Sequence, residues 1–300
     1  MPSAKTPSRN QKLEKIAELA MGLGRKHLAD YGAARSRHDF TQRQLMSCLI
    51  LRAYLKTTYR GLIELLDGHT RLRVVLGMAD KLPHYTTLQK FSARSEVLKI
   101  ADAMIAQIGT AALRAQGRKA PEVAVAVDAT GLETSVASAH FVSRSGRERR
   151  RWVKVSLMVV CGLLFPTGLV LGWGPSSDQR DAPALLEKAL DVPLEALPQK
   201  LYGDAGDDAD WIHALCREEH GVEAIIKPAT CRSDGTLGGT YRSKMTKTKL
   251  KRAGYGHRWQ IESFLSGLKR TTGSALSART DITLHHEAAL RVLAYTLNRR

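Results

Sequence analysis

The sequence predicts a mixed α/β chain, a helix-covered mixed sheet preceded by an all-helical N-terminal portion. Three observations predict it. From Leu13 to about Gln116 apolar residues recur at helical spacing between short polar breaks. At "RAQGRKAPE" the texture changes to β-branched runs. Beyond that point hairpin strands give way to alternating strand and helix signals, the pattern of a sheet covered by helices.

Residues 1–12 are polar and read as a disordered N-terminus, and "MPSAKTPSRNQKLEK" has no apolar core of a secretory signal. A helical domain is expected over 13–118. In "FTQRQLMSCLILRAYL" Thr41 suits the N-cap of an apolar-periodic run; "TYRGLIELLDG" follows closely, and Gly68 suits its C-terminal stop. "KLPHYTTLQKF" opens on a proline break and restarts at Thr86 or Thr87, leading into the longer helix "SEVLKIADAMIAQIGTAAL". Short helices, tight breaks and many Arg and Lys residues resemble a helix-turn-helix DNA-binding module.

Residues 119–300 form the expected second domain. "VAVAV" (123–127) is a continuous β run ending at Asp128; the basic loop "RSGRERRR" leads to the strands "WVKVSLMVV" and "TGLVLGW". "DAPALLEKAL" reads as an amphipathic helix capped by Asp181, and "QKLYGD" as a short strand ending at Asp204. The helix "DADWIHALCREEHG", the strand "VEAIIKP", a polar basic stretch (228–252), the helical "YGHRWQIESFLSGLK" and a closing helix "LHHEAALRVLAYTLNRR" complete the chain. The apolar stretch 155–174 mimics a membrane span, but Pro166-Thr167-Gly168 and its β-branched residues make it two strands joined by a tight turn. The expectation is a soluble, cytoplasmic, nucleoid-associated protein without a membrane partner.

Lys and Arg number 46 against 29 Asp and Glu, a formal net charge of +17. Such a field favours a polyanionic partner. Residues 1–120 carry 21 basic and 9 acidic side chains, so the main electrostatic footprint lies in the helical portion. Cys48, Cys161, Cys216 and Cys231 are scattered without a CxxC pair, which argues against a zinc site or a disulfide framework.

Asp128 and Asp204 each follow a hydrophobic strand, where α/β sheets gather functional groups. Glu262 stands on a late helix, on one stripe with Tyr255, Arg258 and Lys269, while Ile261, Phe264, Leu265 and Leu268 take the opposite side. Three carboxylates in one cleft repel one another unless divalent cations neutralise them. Oxygen donors suit Mg²⁺ or Mn²⁺, and two such ions support in-line phosphoryl displacement. Asp207 and Asp208 lie close enough to Asp204 to trade places with it. Glu133 reads as a turn residue and His257 as a helix-surface histidine.

Tyr255-x2-Arg258-x3-Glu262-x6-Lys269 resembles the Y-(2)-R-(3)-E-(6)-K signature of bacterial insertion-sequence transposases of the DDE type. Asp128 in "VAVDATGLE" and Asp204 in "LYGDAGDDADW" resemble the two earlier acidic residues of that family, although "AGDD" replaces its usual Gly-Tyr. The resemblance covers roughly residues 40–297. It implies an RNase H-like core and metal-dependent cleavage at transposon ends followed by strand transfer. It implies Asp128, Asp204 and Glu262 as metal ligands for two Mg²⁺ or Mn²⁺ ions, and Tyr255, Arg258 and Lys269 as phosphate contacts. It also implies double-stranded DNA as partner and a homodimer or larger assembly on it. Two basic runs, Arg144, Arg147, Arg149, Arg150, Arg151 and Lys154, and Arg242, Lys244, Lys247, Lys249, Lys251 and Arg252, read as further phosphate contacts. A nuclease without strand transfer and a domesticated non-catalytic DNA-binding protein remain as alternatives.

Overall fold

Thr41 caps the second helix as the sequence predicts: Gln44 N donates to its hydroxyl while Thr41 N donates to Gln44 Oε1 at 2.7 Å, a reciprocal capping box. The computed structural model that shows this describes residues 9–33, 35, 37–120, 122–134, 151–229 and 236–300. The helical portion comprises α1 (Arg9–His27), α2 (Gln42–Leu55), α3 (Tyr59–Asp67), α4 (Thr70–Val75), α5 (Tyr85–Ser92) and α6 (Glu96–Gly117). α4 was not expected, and α5 begins at Tyr85, ahead of Thr86. Gly68 does end α3, but in right-handed conformation; the left-handed stop is at Lys56, after α2.

Two compact units emerge. The first holds residues up to Met104 with Arg270–Gly273 and Ser277–Arg300; the second holds Ile105–Lys269 and Ser274–Leu276. The closing helix, α11 (Asp281–Arg299), falls in the first unit and packs on α1 and α2. It is buried around its whole circumference from Leu284 to Leu297, except for His285, and its two buried charges, Glu287 and Arg291, pair at 2.7 Å. A helix that is apolar all round needs other helices on every side.

In the second unit the strands β1 (Ala124–Glu133), β2 (Trp152–Val160), β3 (Pro166–Gly174), β4 (Lys200–Gly203) and β5 (Glu223–Ile226) form one sheet in the order β3-β2-β1-β4-β5. β1–β2 and β2–β3 are antiparallel; β1–β4 and β4–β5 are parallel. This is the RNase H-like mixed sheet. The apolar stretch 155–174 is two strands, with the turn at Cys161–Phe165 and Pro166 opening β3, so the turn precedes the Pro-Thr-Gly that had been expected to form it. Gly162, at φ 89°, supplies the left-handed position that the turn needs. No helix among the described residues is long and apolar enough to cross a membrane.

Strand alternation sorts the two faces of the sheet. Val125, Val127, Met158, Val160, Leu201 and Ile226 share a core with Leu185, Leu186 and Ala189 of α7 (Ala182–Leu190). α8 (Asp210–Ala214), continued by a π-helical turn over Leu215–Glu219, adds Ile212 and Cys216 to it. Ala126, Asp128 and Tyr202 therefore point to the other face. There the Tyr202 hydroxyl donates to Ala253 O at 2.9 Å, just ahead of a 3₁₀ turn (Tyr255–Arg258) and α10 (Trp259–Thr272). α9 (Lys247–Arg252) precedes that turn. Cys48, Cys161 and Cys216 are free and buried, and burial pushes each thiol up to about 12, so all three are inert; Cys231 lies outside the described residues.

Candidate active site

β1 outruns its neighbour. It pairs with β4 only through Ala124–Ala126 opposite Lys200–Tyr202, and beyond that point β4 no longer flanks it. Asp128 lies in this overhang, mid-strand and opposite Leu157, not at a strand end as the sequence suggested. Asp204 does follow its strand directly. Since Ala126 is level with Tyr202, two further residues along each parallel strand bring Asp128 and Asp204 side by side on one face.

Each aspartate is oriented by a backbone N–H. Asp128 Oδ1 accepts from Ala129 N at 2.8 Å. Asp204 Oδ1 accepts from Gly206 N at 2.6 Å, capping a 3₁₀ turn over Ala205–Asp207. Their Oδ2 atoms both face the Arg258 guanidinium, at 3.5 Å from Asp128 and 3.1 Å from Asp204. Glu262, one helical turn beyond Arg258, pairs with its other terminal nitrogen. The Arg258 side chain is 12% exposed and Glu262 is 57% exposed, so the cluster opens to solvent on the α10 side. Burial raises Asp128 to about 6, against the pull of the Ala129 N–H and Arg258, and Asp204 and Glu262 push the same way as burial. Burial works against the Arg258 charge, but Glu262, Asp128 and Asp204 more than offset it and hold the guanidinium firmly protonated.

The polar stripe is built from two kinds of helix. Tyr255 and Arg258 lie in the 3₁₀ turn and α10 starts only at Trp259, whereas one continuous helix had been expected. The apolar face is as predicted: Ile261, Phe264, Leu265 and Leu268 are buried. Tyr255 is half-buried, and desolvation raises its hydroxyl despite Arg258. Lys269 is half-buried two turns beyond Glu262.

Among the described residues no three His, Cys, Asp or Glu side chains are gathered closely enough to hold a metal ion as they stand. Arg258 lies between the three acids. The donor set nevertheless fits a hard divalent cation: it is oxygen only, drawn from three distant chain segments, and it converges on positive charge.

Neighbouring acids have other commitments. Asp208, 1% exposed, receives Arg242 in bidentate fashion at 2.7 and 2.6 Å and the Ala229 N–H at 2.7 Å. Arg242 is thus a structural partner, not the phosphate contact that the basic run suggested. Asp210 accepts the N–H groups of Thr240, Tyr241 and Arg242 and straps that segment to α8. Asp207 is buried, and burial followed by Asp204, Asp178 and Asp128 pushes it up to about 7. Its neutral form is favoured in the fold, so its contribution to stability is complete below its ordinary value of 3.8 and is lost as pH rises through about 7. Asp207→Asn is expected to flatten the fall in urea midpoint between pH 4 and 8. Asp128 keeps part of the slope; an unchanged slope would assign all of it elsewhere.

Lys154 departs most from the sequence reading. It is not a loop cation but a buried strand residue, paired with Asp178 at 2.8 Å and Asp181 at 2.9 Å. Asp181 stands at the N-cap of α7 yet turns its carboxylate to Lys154 and Ser156, away from the helix. A lysine inside an otherwise apolar strand was the available signal. Lys249 pairs with Glu223 at 2.7 Å, while Lys244, Lys247 and Lys251 are exposed. Arg151 stacks on the Trp173 ring. Arg144, Arg147, Arg149 and Arg150 lie outside the described residues. His257 is exposed and bonded to Gln260, and Glu133 closes β1 with backbone bonds to Ser274 and Leu276.

A family model, "Transposase DDE domain", matches residues 119–297, more than half of the chain. No curated protein matches the sequence.

Proposed function

We propose a specific reaction for this chain, which belongs to the DDE-domain transposase family and is therefore an enzyme of phosphoryl transfer on DNA. It binds the terminal inverted repeats of an insertion sequence, cuts at the transposon end and joins the freed 3′-hydroxyl to target DNA. The observation that carries this reading is the convergence of Asp128, Asp204 and Glu262 on one guanidinium.

The family generally uses divalent metal ions. Here Asp128, Asp204 and Glu262 would hold two Mg²⁺ or Mn²⁺ ions. When bound, such ions activate the attacking water or 3′-hydroxyl and stabilise the leaving oxygen. The chain's own groups orient the DNA. Arg258 offers a planar fork matched to a phosphate, Lys269 a point charge further along α10, and Tyr255 a hydroxyl beside them. Lys247 and Lys251, with Lys249 in part, extend the basic face. Arg151 and the run Arg147, Arg149 and Arg150 belong to the same reading by sequence. Residues 13–118 serve as the helical DNA-binding domain, supported by their 17 basic against 9 acidic side chains. Joining two ends in one reaction calls for a homodimer or larger assembly, acting in the cytoplasm on the nucleoid.

The test is incubation of the purified protein with Mg²⁺, a duplex carrying the inverted repeat that flanks its gene, and a plasmid target. Duplex joined to plasmid through its 3′ end is the expected product. Cutting at the repeat without joining would replace this reading with a nuclease, and repeat binding without cutting would leave a DNA-binding protein.

A further inference from the structure

Lys154 presents a problem that the reaction above does not solve. It sits mid-strand in β2 between Val153 and Val155, both fully buried, and its own side chain is only 5% exposed. Its parity along the strand, shared with Ser156 and Met158, turns it to the α7 face, opposite to that of Asp128. It therefore cannot grip DNA at the acidic cluster. A buried ammonium costs several kcal/mol of desolvation unless fully paired, and an aliphatic side chain would fill the same place more simply.

Its partners indicate what it does. The ammonium, with three hydrogens, meets four acceptors: Asp178 Oδ1 at 2.8 Å, Asp181 Oδ2 at 2.9 Å, Ser177 O at 2.8 Å and Ser176 O at 3.2 Å. Ser156 Oγ donates to Asp181 Oδ2 at 2.8 Å and fixes the far side of the cage. The segment after β3 is thereby pinned, and Asp178 with it. The other oxygen of Asp178 lies against Gly206. A Cβ placed on Gly206 would stand 2.8 Å from Asp178 Oδ2 and 2.9 Å from Asp204 Oδ1. Gly206 is thus wedged between two carboxylates, and its N–H is the group that orients Asp204. One carboxylate is locked by Lys154; the other faces Arg258.

We propose that Lys154 is a positioning residue for phosphoryl transfer: by holding Asp178 against Gly206 it fixes the turn that aims Asp204 at the cation site. Lys154, shared with Asp181, also offsets part of the Asp178 charge, which repels Asp204 across the same glycine. The proposal rests on Asp204 being a metal ligand, as read above.

The test is Mn²⁺ binding to the full chain without DNA, followed by the loss of the free-ion electron spin resonance signal. Lys154→Met and Gly206→Ala are each expected to weaken binding about 10- to 100-fold, the range usual for partners that orient a metal ligand. Metal-free binding to repeat DNA should stay at the wild-type level. Gly206 is exposed, so the crowding of an added Cβ falls on the surface turn and not on the core. Its variant should stay folded, and it decides alone if Lys154→Met fails to fold. Asp204→Asn serves as reference. If it weakens Mn²⁺ binding while Gly206→Ala and any folded Lys154→Met bind within threefold of wild type, the positioning role is refuted and the site stands. If Asp204→Asn itself binds Mn²⁺ normally, the site fails and the positioning role fails with it.

Discussion

Glu262→Gln is expected to reduce strand cleavage by at least about 10³-fold while leaving affinity for repeat DNA within a few-fold of wild type. The carboxamide keeps the shape of the side chain and removes only its charge. The ion pair lost is that with Arg258, which keeps Asp128 and Asp204 as partners. Glu262 is more than half exposed in the first turn of α10, and the helix is held by Ile261, Phe264, Leu265 and Leu268. The loss should therefore fall on the reaction. Several kcal/mol of transition-state charge stabilisation are at stake when an acid that places a catalytic cation is neutralised, and each 1.36 kcal/mol is a factor of ten in rate. Single-turnover cleavage of an end-labelled repeat duplex, beside a filter-binding curve, separates the two effects. Cleavage at the wild-type rate would remove Glu262 from the reaction. Equal loss of binding and cleavage would make it a DNA contact.

Much of this site could be read from the chain alone, for local reasons. The signature around Glu262 depends on helical spacing, and a step of seven residues returns to the same face whatever surrounds it. Asp204 follows a short apolar run that ends where β4 ends. Asp128 was found for a similar reason but misplaced: Ala129, Thr130 and Gly131 carry no apolar signal, and they stay in the strand only because β2 pairs with them. That pairing is non-local. The same limit explains Lys154 and Arg242. Each stood at the edge of a basic run, and only partners far along the sequence, Asp178 and Asp181 for one and Asp208 for the other, reveal it as a buried structural ion. The closing segment was recognised as a helix, yet composition does not say which helices surround it. Among the acids, burial and pairing favour one of the alternatives that the sequence left open. Asp208 is consumed by Arg242 and Asp207 is buried, so Asp204 is the one that faces Arg258.

Arg258→Ala is expected to change two measurements in opposite directions. The guanidinium touches all three carboxylates, at 3.5 Å from Asp128, 3.1 Å from Asp204 and in direct contact with Glu262. A divalent cation held by those acids has to take the place of that positive charge. Without DNA, the variant should therefore bind Mn²⁺ more tightly, by about tenfold or more, since an adjacent Arg commonly stabilises a carboxylate's charge by one to three pKa units. Measurement at pH 8 keeps Asp128, raised to about 6, ionised in wild type and leaves it mostly so if removal of Arg258 lifts it further. Cleavage should nevertheless fall by about 10²-fold or more, the loss typical when one preorganised donor to developing charge is removed. Both effects follow from one side chain with two mutually exclusive partners, the acids or a backbone phosphate. In wild type a bound phosphate that draws Arg258 away should tighten Mn²⁺ binding, and by reciprocity Mn²⁺ should tighten DNA binding. Mn²⁺ titrations with and without repeat duplex measure this coupling directly. It should be clear in wild type and absent in Arg258→Ala. Weaker Mn²⁺ binding in the variant would mean that Arg258 holds the acids in place instead of competing for them, and the predicted coupling would then vanish from wild type as well.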